Sequence, residues 1–186
     1  MGARRLPAAA HVEEVCRFLV SVSVGAKAPS EVLDKVAPLY RAYNHGRFEY
    51  LYQHDRNLFN KQRGDREETA IGKVLPYAAY KENQETIDRL CPDLAVVYDL
   101  YSDEKHKQVL SLDEVVKGYH SHGQLMMVAK EEGYCGATKP VYRLDSVASL
   151  KTTIFTDIKV EYERTKAHNA LYKNGEDKGV VFYVWA

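Results

Sequence analysis

The residues that could do chemistry in this chain come in small sets. His120-Ser121-His122 places two imidazoles two positions apart. On a β-strand both would face one side and could hold a metal ion, whereas on a helix they diverge by about 200 degrees. Periodicity reads this region as helix or helix end, and the spacing suggests no third or fourth ligand. His54-Asp55-Arg56 supplies acid–base groups. Successive residues on a helix point in different directions, so an ion pair at a surface or interface fits this set better than a catalytic dyad. Cys16, Cys91 and Cys135 are odd in number and far apart, without a CxxC pair. They read as thiols of a reducing compartment, not as a disulfide framework or zinc site. Neither Cys91 nor Cys135 has a base positioned beside it in sequence. Phosphate-cradling loops of the GxGxxG or GxxxxGK[ST] kind are absent. No catalytic residue, cofactor or metal is therefore expected. Asp103 to Glu114 has the length of an EF-hand loop, with Leu110 and Glu114 in register, but Lys105, Lys107 and Gln108 stand where two ligands and a glycine belong. Such a loop would be calcium-silent.

The elements that must position these residues read mostly as helices. A first helix is expected over residues 11–24, ending at Gly25. A second opens at Ser30, with a kink or break at Pro38, and stops at Asn44-His45-Gly46. Over 46–59, Phe48, Leu51, Tyr52, Leu58 and Phe59 fall on one side at helical spacing, with Asp55 in the same stripe. Further helices are expected over 67–75, over 77–90, from Ser111 with a capping-box Glu114, and within 149–172. The end, GVVFYVWA, reads as an extended segment. No second strand is evident, so this segment is expected to dock on another subunit. No internal repeat is visible. The resulting expectation is a mainly α chain: an irregular helical domain of about five to seven helices over 1–132, with a dependent C-terminal extension over 133–186.

Composition narrows the partners. The chain has 186 residues, 45% hydrophobic and 28% charged, with 26 basic and 26 acidic side chains. Zero net charge argues against nucleic acid as the main partner. No run of about 18 apolar residues is present, so no transmembrane segment is expected. Fourteen tyrosines against 5 phenylalanines and 1 tryptophan favour surfaces that are buried yet partly wet, as at interfaces. Arg4, Arg5 and the alanines after them share the character of a mitochondrial import sequence, although Glu13 and Glu14 fit a plain first helix.

Four segments in order resemble the small matrix-side subunit 7 family, the ubiquinone-binding protein, of the mitochondrial cytochrome bc1 complex. They are Gly46-Arg47-Phe48 with Leu51, Tyr52 and Asp55; Ala70 through Pro76; Tyr80 to Leu90; and His106 to Ser111. Arg47 is inserted, and Ser111 replaces an expected proline. Leu39-Tyr40-Arg41 also spells the tripeptide of the LYR family of small mitochondrial proteins. The bc1 resemblance implies a non-catalytic accessory subunit without cofactor, on the matrix side of the mitochondrial inner membrane. It would brace the redox subunits of complex III, with an accessory role in complex I or ATP synthase as the neighbouring alternative. Its partner-binding residues would be Phe48, Leu51, Tyr52, Asp55, Leu58 and Phe59, with Phe182 and Trp185 as a second anchor. The competing reading is a soluble helical binding module of calcium-silent EF-hand type.

Overall fold

The computed structural model describes residues 27–102, 104, 107–147 and 152–186. The expected first helix over 11–24 lies outside them. Among the described residues the chain is mainly β, not mainly α: eleven strands form three antiparallel sheets, and the helices are four and short. The physical reason lies in side-chain type. Segments such as LYRAYN, VVYDLY and VVFYVWA concentrate tyrosine, valine and phenylalanine, which favour the pleated strand. In windows this short an apolar pattern matches helical and extended periods alike.

The strands make one module three times. In module 1, β1 (Ala37–Pro38) and β2 (Tyr40–Asn44) are followed by β3 (Glu49–Gln53), β4 (Asp65–Glu67) and β5 (Lys73–Pro76). Module 2 holds β6 (Ala95–Ser102), β7 (Lys107–Ser111) and β8 (His120–Val128). Module 3 holds β9 (Lys139–Asp145), β10 (Thr153–Thr156) and β11 (Glu176–Val184). In each, the opening strand is central, flanked by its hairpin partner and by the closing strand. The registers coincide: Arg41 faces Tyr52, Asp99 faces Leu110, and Arg143 faces Phe155. The closing strands β8 and β11 also bulge at matching places, around His122 and Leu125 in one and Lys178 and Val181 in the other. The sequence thus repeats after all, as LYRAYN, VYDLYS and VYRLDS, ending at residues 44, 102 and 146.

The ends of the modules close a ring. Leu75 pairs with Met127, Ala129 with Tyr183, and Trp185 with Lys73. Each link joins a residue of one module to the residue two places earlier in the next. The C-terminal segment therefore pairs within its own chain, with β9 and with the two preceding modules, which corrects its expected docking on another subunit. Residues 133–186 supply most of the third module.

Matching positions fill one core. Leu39, Val97 and Val141 are fully buried, as are Val74, Val128 and Val184; Tyr52, Leu110 and Phe155 are the large side chains packed among them. Burying each of the larger ones contributes roughly 1.5–3 kcal/mol. A second cluster gathers Trp185, Ile87, Leu75 and Cys91 beneath α2 (Tyr77–Glu82) and α3 (Gln84–Leu90). There Cys91 and Cys135 form a disulfide, correcting the free-thiol reading. They flank module 2 in sequence and staple its base. Two short additions complete the described chain: α1 (Ser30–Leu33), and α4 (Lys159–His168) inside module 3. No helix among the described residues is long and apolar enough to cross a membrane.

Candidate functional site

Three hairpins in one register allow residue-by-residue comparison of their outer ends. At the strand position of Arg41, module 2 has Asp99 and module 3 has Arg143. At the bulge of the closing strand, His122 and Lys178 correspond; in module 1 Glu68, just past β4, donates its amide to the Arg41 carbonyl. In module 1, Arg41 is buried and pairs with Glu68 at 2.7 Å and with Glu161 of α4 at 2.8 Å. Burial raises the Glu161 carboxyl, but hydrogen bonds from Arg41 and Thr156 outweigh that and hold it below the ordinary range. In module 3, Arg143 grips Asp145 with two bonds of 2.8 and 2.9 Å, and Lys178 pairs with Glu176. Permanent charges close both ends.

Module 2 differs. Its closing strand begins at His120, so the histidines are on a strand, and both turn to one side. Their Nε2 atoms are 3.0 Å apart. The His122 Nδ1 lies 3.8 Å from Asp99 Oδ2, and the Tyr101 ring stacks on His122 at 5.6 Å. Gln108 donates to Asp99 Oδ1 at 2.8 Å and is itself fixed by the backbone of Tyr52. Burial pushes the Asp99 carboxyl above its ordinary range, against the pull of Gln108 and His122. The expected helix or helix end here is a strand, which corrects the divergence expected of the two imidazoles.

The tip of the first hairpin is the second unusual feature. Phe48 has a left-handed backbone (φ 51°) and an exposed ring. For a bulky L-residue this conformation costs roughly 1–2 kcal/mol. A buried polar network holds it. Asn44 Nδ2 donates to Asp65 Oδ1 at 2.6 Å and to the Arg63 carbonyl at 2.9 Å, while Asn44 Oδ1 accepts from the Arg47 amide at 3.0 Å. Glu49 accepts from the Gln108 amide at 2.8 Å. Lys107 reaches across from module 2 and donates to the carbonyls of Arg47 and Phe48, the latter at 3.0 Å. Burial raises the Glu49 carboxyl and lowers the Lys107 amine.

The residues expected to form a partner-binding stripe do not share a face. Tyr52, Phe59, Phe182 and Trp185 are buried in this chain's own core. Tyr52 hydroxyl accepts from the Phe155 amide at 2.7 Å, and Trp185 Nε1 donates to the Cys135 carbonyl at 2.9 Å. Leu51 is half-buried on β3. Asp55 caps a 3-10 turn over Arg56–Leu58, accepting from the Asn57 amide at 2.9 Å. Arg56 pairs with Glu67 at 2.9 Å and covers the Tyr40 ring, away from His54. Phe48 and Leu58 alone of the eight are large apolar side chains left exposed. The EF-hand reading does not survive either, since Lys107–Ser111 is a strand paired with β6.

Compared with known proteins, the chain matches no family model, no curated protein and no solved structure.

Proposed function

We propose that this protein is a non-catalytic, partner-binding module, anchored through the Phe48 hairpin tip. One observation carries the reading. An exposed aromatic ring is held in a strained conformation by a network of buried polar groups drawn from two modules. Strain that the surroundings over-determine is found where a side chain is presented to something. An aromatic anchor with an arginine beside it is the kind of side chain that dominates interface energies. The partner's chemistry follows: an apolar recess to take the Phe48 ring, beside an Arg47 that is partly exposed and already paired with Glu49 and Asp65, each at 3.4 Å. Most ionisable groups nearby are already committed to ion pairs, which favours binding over catalysis.

Membership of a respiratory membrane complex belonged to the helical resemblance. Glu49–Gln53, Lys73–Pro76 and Lys107–Ser111, which fall in three of its four segments, are strands and give it no support. The Cys91–Cys135 disulfide favours an oxidising compartment over the mitochondrial matrix.

The test is a pair of substitutions at one position. The full-length protein, cross-linked in its own cells, is expected to come back with one partner at a fixed ratio. Phe48→Asp should lose that partner. Phe48→Asn should lose it too while raising stability by up to about 1 kcal/mol, because asparagine tolerates the left-handed backbone. A stabilised Phe48→Asn protein that keeps its partner at the wild-type ratio would overturn the reading.

A further inference from the structure

We propose that His120 and His122 form a two-imidazole site for a divalent copper ion, with Asp99 as the carboxylate behind His122. This stands apart from the Phe48 reading and shares no residue with it.

The geometry begins with the strand. Alternation would put residues 120 and 122 on one face, and the bulge at His122 tips its ring toward His120. The rings lie 4.9 Å apart and are tilted by 58°, with the two Nε2 atoms converging at 3.0 Å. That contact is a hydrogen bond between the rings, and the same separation lets both nitrogens reach one ion. Bonds of about 2.0–2.1 Å from each nitrogen spanning 3.0 Å enclose an angle of about 91–97°. A tetrahedral ion wants its nitrogens about 3.3 Å apart at those bond lengths. The right angle is that of adjacent positions in a square or tetragonal field, which cupric ion prefers and where it outranks nickel and zinc.

The surroundings fit as well. A metal-binding imidazole normally hands its other ring nitrogen to a carboxylate, which fixes its orientation and raises its basicity. His122 Nδ1 lies at ion-pair distance, 3.8 Å, from Asp99 Oδ2; Asp99 accepts from Gln108, which the Tyr52 backbone fixes in turn. Tyr101, stacked on His122, limits its rotation. Neither of the other modules can do this, because module 3 has Lys178 at the matching bulge and module 1 has Glu68, paired with Arg41, beyond the end of β4. Among the described residues no group of three or more histidine, cysteine, aspartate or glutamate side chains converges on one point. The described residues therefore supply two ligands, and water or a small anion can complete the coordination.

The experiment is a titration of the full chain with cupric chloride against glycine as a weak competitor, read by calorimetry and by electron paramagnetic resonance. One equivalent should bind, with nitrogen couplings from two imidazoles. His120→Ala and His122→Ala should each weaken it at least tenfold, and Asp99→Asn about tenfold with unchanged stoichiometry. His168→Ala, at the exposed end of α4, should leave it unchanged. Both site histidines are exposed, so the variants keep the fold, and a melting curve checks this. Wild-type affinity in the His120→Ala/His122→Ala double variant, or zinc binding more tightly than copper, would overturn the proposal.

Discussion

Modules 1 and 2 have the same strands in the same register and are closed by different chemistry. Module 1 is tied by charge. Arg41 reaches Glu161 in module 3, and Lys107 of module 2 reaches the carbonyls at its hairpin tip. Module 2 is tied covalently, by a disulfide that joins its two flanks across 44 residues of sequence. Its outer end is then left to a histidine pair. The difference shows how a repeated frame frees positions for function. The interior triplets Leu39/Val97/Val141 and Tyr52/Leu110/Phe155 fill the core in all three modules, and the outer positions, which lie outside that packing, diverge in chemistry.

The comparison can be broken first at the covalent staple. Replacing Cys91 and Cys135 together by alanine should cost about 4 kcal/mol, since a loop of that length loses much closure entropy in the unfolded chain when cross-linked. Denaturant unfolding with and without reductant measures it. A reduced wild type that melts like the oxidised one would show that module 2 closes without its staple. The ionic closure should be worth less. Arg41→Ala leaves Glu161 and Glu68 uncompensated, but both are about a third exposed, at 29% and 34%. The expected loss is therefore at the low end for a broken buried pair, about 3 kcal/mol. Asp99→Ala, at the matching place in module 2, should lose clearly less, because its imidazole partner lies on an exposed strand end. Equal losses at the two positions would mean that both ends carry the fold alike.

Much of the local structure could be read from particular residues, and the assembly could not. The helical stretch 77–90 was legible and is α2 and α3, interrupted only at Asn83. The extended character of GVVFYVWA was legible too, since β11 runs through it to Val184. Its partner strand was not. Val141, Tyr142 and Arg143 carry a loop-like flank of glycine, threonine and proline, which masked β9. The repeat was illegible because LYRAYN, VYDLYS and VYRLDS share one identical residue, the tyrosine, and otherwise only size and polarity. Pairing register exposes it, and register depends on contacts far apart in sequence. The disulfide was hidden by arithmetic: three cysteines do not announce one pair. At the candidate sites, the histidine pair was visible as a pair. Its geometry depends on helix or strand, and the apolar spacing of 111–128 fits a helical period although His120–Val128 is a strand. Phe48 was visible as apolar, but a left-handed backbone at its position left no signal in composition.

Acid should separate the two seams that flank module 1. Glu161, at the seam with module 3, has its pKa lowered in the folded state. Its contribution is present above the unfolded carboxylate pKa and is lost as pH falls through the folded one. Glu49, at the seam with module 2, has its pKa raised by burial. Its contribution is present below the unfolded pKa and is lost as pH rises through the folded one. Glu161→Gln should therefore flatten the fall in stability on acidification, and Glu49→Gln should steepen it. Unfolding free energies measured from about pH 3 to pH 6, a window bracketing ordinary carboxylate values, decide the matter. Shifts of the same sign in both variants would show that the seams do not differ electrostatically.

The smallest expected effect concerns the closing strands of modules 2 and 3, which bulge alike and differ in one angle. Gly123 and Gly179 occupy matching positions, facing Asp99 and Arg143. A Cβ added at either would meet nothing within 4 Å, so packing cannot distinguish them. Backbone strain can. Gly179 lies at φ 65°, the left-handed well that asparagine tolerates, whereas Gly123 lies at φ 113°, where side chains other than hydrogen clash with the main chain. Gly179→Asn should change stability by less than about 1 kcal/mol, and Gly123→Asn should cost roughly 1–3 kcal/mol. Thermal melts of the two variants side by side measure the gap. If the costs were equal, the two bulges would have the same backbone in solution. The orientation of His122, one residue before Gly123, would then owe nothing to a special bend of β8.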